Sequence, residues 1–485
     1  MKIVFVPLIM AALWPSFLSS QSNKLRLDSL SRAYAEKNVQ GVILVARGDE
    51  VIYENAWGLA DMDAKIPLRT NSLFKTESTG KMFTATAIMQ LVESGRLDLQ
   101  QTIAEILPEL KVSNAEKITV AHLLMHRSGL TSPWNSSEFK LQQAYSKAEL
   151  QRFIEQQPLA FEEPGERMFY SNSGYVILGW IVEQLSGLAF DSYLTEHLFV
   201  PAGMKAIGHL NDSLMPKGEA QPYQFLNSKK YVTRNQFLTP LAHGAGGWVA
   251  SANDLYRFMR GLDQNFFLEN HTLRTMLTAN NFKDPREGLR AAAYGFEVYN
   301  NQPLEGITYF GHSGGGGGFS IDAILEPENH LIVIFCSNTF MNARAVTANY
   351  LRLMHERPLA PIEKPVSIRL YDEIDSKGIQ AFLQNSEQYF DRLAIDTNEK
   401  IFVRLADAME LAKDYERLLQ WAEFGLSRYP DSGILHLFKA TAHWHTNQPS
   451  EAKAAMEKAR ILAMSKDDRQ LLDEIDRRLT RLERL

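Results

Sequence analysis

The order of apolar and polar positions divides the chain into stretches of different character. The spacing of Leu27, Leu30, Ala33 and Tyr34 predicts a helix over 25–37. Two runs, 41–46 (GVILVA) and 51–57, read as strands joined by the turn Arg47-Gly48-Asp49. Over 78–94 the period changes to a helical one. Its apolar positions Met82, Phe83, Ala85, Ala87, Ile88, Leu91 and Val92 nearly circle the axis, which predicts a helix sunk in a core and stopped by Gly95. The middle third predicts short helices and loops. Strand character returns at 306–309, 320–325 and 331–337. Strands at both ends with helices between predict one α/β unit whose sheet joins distant parts of the chain.

Pro358, Pro361 and Pro365 punctuate the stretch after Glu356, so 358–369 reads as a linker, and beyond it the pattern is helical only. A displacement of 34 residues pairs Phe402 with His436, Ala406 with Ala440, Met409 with His443, Leu418 with Ala452, Ala422 with Met456 and Gly425 with Ala459. Small residues recur where paired helices approach closely. The stretch 370–485 therefore resembles an all-α tetratricopeptide-like domain, with repeats at 399–432 and 433–466 and flanking segments that complete the stack. Such an array offers a surface for a protein partner or for self-association.

The start of the chain reads as an address. Lys2 precedes an apolar stretch of 16 residues, 3–18, and Ser19, Ser20 and Ser22 come next, so residues 1–22 are expected to be a cleaved signal peptide. The expected location is periplasmic or secreted, with membrane association only if that segment is retained. The chain of 485 residues, 45% hydrophobic and 22% charged, is of globular composition and long enough for two to four domains. Its net charge is −6 and no Lys/Arg-rich run occurs, which argues against a nucleic-acid partner. A single cysteine, Cys336, excludes an internal disulfide and a cysteine-based zinc site. It lies in the apolar run LIVIFC and reads as a buried structural thiol.

Candidate chemistry begins with Ser78-Thr79-Gly80-Lys81, where a helix would bring serine and lysine to one face and place the serine among free N–H groups. Burial would depress the lysine toward a useful base. The spacing alone is common: Ser72 with Lys75, Ser137 with Lys140, and Ser450 with Lys453 share it, the last serine reading better as a helix N-cap. Glu77 adjoins the nucleophile and reads as favouring the helix start. Farther on come Tyr170-Ser171-Asn172 and then Gly311-His312-Ser313-Gly314 with Gly315–Gly318. Tyr-x-Asn recurs at Tyr53 and Tyr299, whereas five successive glycines before a strand are uncommon. They read either as a flexible hairpin turn or as backbone that approaches a ligand closely with free N–H groups. His122 and His126 stand four apart on an expected helix, but no acidic third ligand occurs at metal spacing, so they read as scaffold. His443, Trp444 and His445 read as packing or exposed repeat residues, and 466–484 as a solvated, charge-alternating helix.

In this order, Ser-x-x-Lys, Tyr-Ser-Asn and His-Ser-Gly resemble the penicillin-recognising serine hydrolases of the class C β-lactamase and D-alanyl-D-alanine carboxypeptidase type. The phrases at 118–130 (ITVAHLLMHRSGL), 161–175 (FEEPGERMFYSNSGY) and 244–254 (GAGGWVASAND) are similar too, and the resemblance covers about 25–357. It implies a β-lactamase/transpeptidase-like domain over 23–357, with an antiparallel sheet flanked by helices and a helical subdomain. It implies Ser78 as the acylated nucleophile, Lys81 as the group that holds and helps deprotonate it, and Tyr170 as general base and then proton donor. Asn172, His312, Gly314 and Gly315 would bind substrate, and the N–H groups of Ser78 and Gly315 would form the oxyanion hole. His312 stands where class C β-lactamases carry lysine. With a reference pKa of about 6.5 it is mostly neutral at pH 7 and binds carboxylates less strongly, which resembles carboxypeptidases, D-amino-acid amidases and esterases more than efficient β-lactamases. The expected function is an exported serine hydrolase, acylated at Ser78 by an amide or ester carbonyl of a D-alanyl peptide, β-lactam or small ester, without metal or organic cofactor. The alternative is a catalytically weak ligand sensor or scaffold whose helical tail binds a partner protein.

Overall fold

Strands whose two faces are both apolar build the centre of the protein. The computed structural model describes residues 14–135, 139, 143, 145–205, 208–209, 220–233, 243–278, 290–299, 304, 306–393, 395, 397–466 and 468–482. Most of the expected leader, residues 1–13, lies outside them, as does the match of Ser137 with Lys140. The main sheet contains β1 (Gly41–Arg47), β2 (Glu50–Trp57), β3 (Arg290–Ala292), β4 (Glu297–Tyr299), β5 (Tyr309–Gly316), β6 (Phe319–Glu326) and β7 (Leu331–Ser337). These seven strands lie in the order β3-β4-β5-β6-β7-β1-β2, with every pairing antiparallel. The first two strands of the chain thus close against the last, Val42 facing Cys336 and Ala46 facing Ile332 in register.

Alternate residues serve opposite faces, which is why β1 and β7 are apolar throughout rather than alternating with polar residues. Ile43, Val45, Val333 and Phe335 pack against Leu27, Leu30 and Tyr34 of α1 (Trp14–Ala35), and against Val346, Tyr350 and Leu351 near the end of the domain. Val42, Leu44, Ala46, Ile332, Ile334 and Cys336 face the other way, into the larger helical core. That layer includes α2 (Lys81–Glu93), α3 (Asn172–Ser186) and α4 (Ala252–Asp263), and α5 (Ala343–Met354) completes the opposite one. Helix α2 carries buried residues on all sides, as its sequence predicts. Burial pushes the Cys336 thiol far above its ordinary range, which leaves it unreactive.

Three local expectations are corrected. The strand expected at 306–309 begins only at Tyr309, and the histidine and first three glycines of the glycine run lie within it. Only Gly317 and Gly318, at φ 52° and 96°, make the turn into β6. The helix over 120–124 stops before His126, whose φ of 56° takes it out of helical backbone. Ser450 is not an N-cap, because Gln448 holds that position and Pro449 opens the helix.

The C-terminal part is helical. It contains α6 (Val366–Lys377), short helices over 379–384 and 386–392, then α7 (Glu399–Leu411), α8 (Tyr415–Arg428), α9 (Gly433–His445), α10 (Pro449–Ser465) and α11 (Arg469–Leu482). Helix α6 starts at Val366, inside the stretch read as linker, with Pro365 at its N-cap, where a missing N–H leaves no bond unmade. Gly425 permits close helix approach, since a Cβ there would lie 2.9 Å from Leu435 and 3.2 Å from Phe402. This unit is joined to the sheet and its helical layers by the hairpin Tyr223–Phe225 and Tyr231–Thr233. At the hairpin tip Leu226 enters the helical core, Asn227 donates to Asp375 at 2.5 Å, and the Ser228 N–H donates to Asp372 at 2.8 Å. At its root the Tyr223 N–H donates to the Asn338 carbonyl at 2.8 Å. Pro222 there fills the space that a Cβ on Gly318 would occupy, 2.7 Å away.

Candidate active site

Ser78 sits in a single 3-10 turn, Glu77–Gly80, between the short strand Phe74–Lys75 and α2. The serine is half-buried while Thr79, Gly80 and Lys81 are buried. The turn is held from three sides. The Thr76 N–H donates to the Trp248 carbonyl at 2.7 Å, the Gly247 N–H to the Glu77 carbonyl at 3.2 Å, and Thr79 Oγ1 to the His312 carbonyl at 3.3 Å.

Lys81, the first residue of α2, is the centre of the polar contacts. Its Nζ donates to Ser78 Oγ at 3.1 Å, Asn172 Oδ1 at 2.8 Å and the Ala245 carbonyl at 2.7 Å. Three acceptors match the three N–H bonds of an ammonium group. Burial nevertheless disfavours the charge, and although Glu77 supports it, the lysine is brought down from 10.5 to about 7. A lysine half-deprotonated near neutrality, in hydrogen-bond reach of a serine hydroxyl, can take that hydroxyl's proton.

Asn172 opens α3 behind the N-cap Ser171, whose Oγ accepts from the Gly174 N–H at 3.1 Å. The Asn172 side chain is oriented from both ends, its Oδ1 by Lys81 and its Nδ2 by Ser132 Oγ at 3.3 Å. Tyr170 lies between two groups: its ring centre is 4.2 Å from that of His126 and 5.0 Å from Lys81 Nζ. His126 Nδ1 accepts from the Ser171 N–H at 3.1 Å, and burial lowers its pKa well below the ordinary value, so the ring is neutral. His126, assigned to scaffold in sequence, therefore stacks on the candidate tyrosine. No group of three or more His, Cys, Asp or Glu side chains suited to a metal occurs among the described residues.

The glycine strand β5 runs along the nucleophile turn. A Cβ on Gly314 would lie 2.2 Å from the Thr76 carbonyl oxygen, so only glycine lets the strand come so close. We expect Gly314→Ala to destabilise the fold by about 1–3 kcal/mol and to lower the rate of Ser78 labelling, read from a denaturant midpoint and a labelling time course. An unchanged midpoint would refute this account of the glycine. Gly315 is exposed beside Phe340, which is itself 58% exposed. His312, in contrast, is buried, with Nδ1 donating to the Ser313 carbonyl at 2.6 Å. Burial brings its pKa to about 4, against a partial offset from Glu297, so it carries no charge near neutrality. Next to it Ser313 Oγ donates to Asp322 at 2.8 Å, and Arg344 donates to Asp322 at 2.7 Å and to Glu297 at 3.0 Å.

The structure thus gathers Ser78, Lys81, Tyr170 and Asn172 around one ammonium group, and lays Gly314 against the nucleophile turn with Gly315 next to it in the strand. His312 lies buried in the same strand. Ser132, Ala245, His126 and the Arg344 network were not singled out as site residues in sequence. The phrases at 118–130 and 244–254 hold His126 and Ala245; His126 was also marked by its spacing from His122, but read as scaffold.

Comparison with known proteins identifies the family and the fold. A profile described as beta-lactamase matches residues 27–355. Penicillin-binding protein 4* of Bacillus subtilis (strain 168) is 29% identical over 339 residues, covering 66% of this chain and 72% of that protein. The octameric penicillin-binding protein homologue from Pyrococcus abyssi superposes with a TM-score of 0.61 at 26% identity, covering 73% of this chain and 81% of that one. The D-amino acid amidase from Ochrobactrum anthropi SV3, at 22% identity and a TM-score of 0.59 over 68% of this chain and 97% of its own, shares the fold. Since the profile match spans the whole main sheet and both helical layers, the chain belongs to the beta-lactamase family, and the fold around Ser78 is that of a serine hydrolase.

Proposed function

We propose that the protein is an exported hydrolase that is acylated at Ser78 by an ester or amide carbonyl and released by water. The observation that carries this reading is Lys81 Nζ at 3.1 Å from Ser78 Oγ, with its proton affinity brought to about 7. The neutral amine takes the Ser78 proton as Oγ bonds to the carbonyl carbon. The carbonyl electron pair moves onto oxygen, which the N–H groups of Ser78 and Gly315 stabilise. When the C=O bond re-forms, the amine or alkoxide leaves with a proton from Tyr170; the phenolate then deprotonates the water that attacks the acyl carbon, and the Lys81 ammonium returns its proton to Ser78 Oγ as that oxygen leaves. Asn172, fixed by Lys81 and Ser132, orients the acyl side. No step needs a metal or organic cofactor.

The neutral, buried His312 supports small esters and amides, including D-alanyl peptides, over β-lactams, because the glycine strand then lacks a fixed cation for the substrate carboxylate. Export rests on the leader at residues 1–22. No helix among the described residues is long and apolar enough to cross a membrane. The helix pairs α7–α8 and α9–α10 coincide with the two repeats seen in sequence, and we read them as tetratricopeptide-like.

Intact mass after exposure to a fluorophosphonate and, separately, to penicillin tests this reading. One fluorophosphonate adduct is expected, with penicillin reacting slowly or not at all. Rapid penicillin hydrolysis would overturn the ester and amide preference. Folded protein inert to both reagents would overturn the acyl-enzyme.

A further inference from the structure

A tyrosine that protonates a leaving group and then draws a proton from water needs its hydroxyl held in place. The chain that carries Tyr170 is thinly covered. Glu162, Glu163, Glu166, Arg167 and Phe169 are exposed, and Tyr170 itself is half-buried. Residues 126 and 127 anchor this stretch. The Gly165 N–H donates to the Arg127 carbonyl at 2.8 Å, the Phe169 N–H to the His126 carbonyl at 2.8 Å, and the Ser171 N–H to His126 Nδ1 at 3.1 Å. One residue thus holds the backbone on either side of Tyr170. Glycines let the two segments close on each other: a Cβ on Gly129 would lie 2.5 Å from the Phe161 carbonyl oxygen, and one on Gly165 would lie 3.0 Å from His122 Nε2.

The same residue supports the phenol. The rings of His126 and Tyr170 have centres 4.2 Å apart and planes inclined by 30°. The imidazole is itself confined, because the Tyr175 ring centre lies 4.9 Å from its own and the Tyr175 hydroxyl is tied to the Leu124 carbonyl at 2.9 Å. A ring nitrogen that accepts from a backbone N–H carries no proton, so hydrogen-bond geometry alone puts the proton of this histidine on Nε2. The backbone at His126 has φ 56°, and strained backbone of this kind persists where its surroundings fix it, above all at active sites. An apolar side chain could fill the space, but it would leave the Ser171 N–H without its acceptor.

We propose that His126 is a positioning residue acting through Tyr170: its carbonyl and Nδ1 clamp the backbone on both sides of the tyrosine while its ring supports the phenol, so that one hydroxyl serves the leaving group and the water in turn. His126 exchanges no proton itself. As a claim about rate, this rests on the proposed hydrolase function; as a claim about the order of the phenol, it does not.

The test uses His126→Ala, His126→Asn and Tyr170→Phe in the full chain, singly and combined, each with a thermal unfolding curve. Asparagine tolerates positive φ and offers Oδ1 to the Ser171 N–H, so it keeps the test open if the alanine variant unfolds. Two rates are compared: turnover of ethyl acetate, whose ethoxide leaves only with a proton, and labelling of Ser78 by a fluorophosphonate, whose fluoride leaves without one. His126→Ala should lower ester turnover by about 10–10²-fold. Labelling should change by no more than about threefold, since it needs no proton from the tyrosine. His126→Asn should recover part of the lost turnover. In the Tyr170→Phe background His126→Ala should cost no more than about twofold further, because the group it positions is gone. A penalty of the same size in both backgrounds would overturn the proposal. One readout needs no turnover: the 19F resonance of 3-fluorotyrosine at Tyr170, assigned by its loss in Tyr170→Phe, should broaden or split in His126→Ala as the phenol samples several orientations. A line as sharp as the parent's would equally refute the clamp. A parent inert to both reagents, whose line still broadens in His126→Ala, would refute the hydrolase reading and leave the hold of His126 on Tyr170 standing.

Discussion

Replacing Ser78 with alanine will leave a folded protein that takes no covalent label and turns esters over on the order of 10⁶-fold more slowly. The fold survives because Ser78 is half-buried and its hydroxyl supplies one of three acceptors to Lys81, Asn172 and Ala245 remaining. Its loss removes no packed volume of consequence, and such substitutions usually change stability by about 0.5 kcal/mol or less. The rate collapses because, among the described residues, no other hydroxyl or thiol is poised beside Lys81 to replace it. Cys336 is buried and unreactive, and Ser132 is engaged with Asn172. Turnover of a small ester, measured beside thermal unfolding, decides the matter. A variant within tenfold of the parent would place the nucleophile elsewhere.

Replacing Lys81 with methionine should lower kcat/KM by about 10²–10⁴-fold and abolish the acid limb of its pH profile. In the parent that limb should lie near pH 7, where the buried amine releases its proton. Below it Lys81 is an ammonium and cannot accept the Ser78 proton, so the rate falls as pH falls. A stability signature accompanies it. The folded lysine deprotonates near 7 and the unfolded one near its ordinary value of 10.5, so the unfolded state binds more protons between those values. Stability contributed at this site should therefore rise with pH across that window, and Lys81→Met should lose the rise. Denaturant midpoints at several pH values, taken for both proteins, measure it. Identical pH dependence in the two would mean that Lys81 is not held in the buried, depressed state.

Much of this was readable along the chain, and the reasons are local. The strands 41–46 and 331–337 are apolar without alternation, a pattern that only a sheet covered on both faces requires. The helix over 78–94 is apolar all round because it is buried all round. Ser78 with Lys81, and Tyr170 with Asn172, are near neighbours in sequence, so spacing alone brings each pair to one end of a helix. The period of 34 in the tail put the helix pairs where α7 to α10 lie, since equal units stack with equal spacing.

Other features were beyond any local pattern. His126 was read as part of a helix that stops at Leu124, and its positive φ turns it onto Tyr170 instead. The Ala245 carbonyl and Ser132 reach Lys81 and Asn172 from segments with no spacing relation to them. His312 was expected to contact substrate as a neutral histidine; what the chain order could not give is its burial and the hold of the Ser313 carbonyl on its Nδ1. Residue order was enough for the elements, the family and the residue types that stand near the nucleophile. It took the packed molecule to show that three acceptors converge on one lysine and that the glycine strand passes within contact of the nucleophile turn. Proton affinity and hydrogen-bond reach depend on burial and on distances of a few ångströms, which arise only when distant segments pack together.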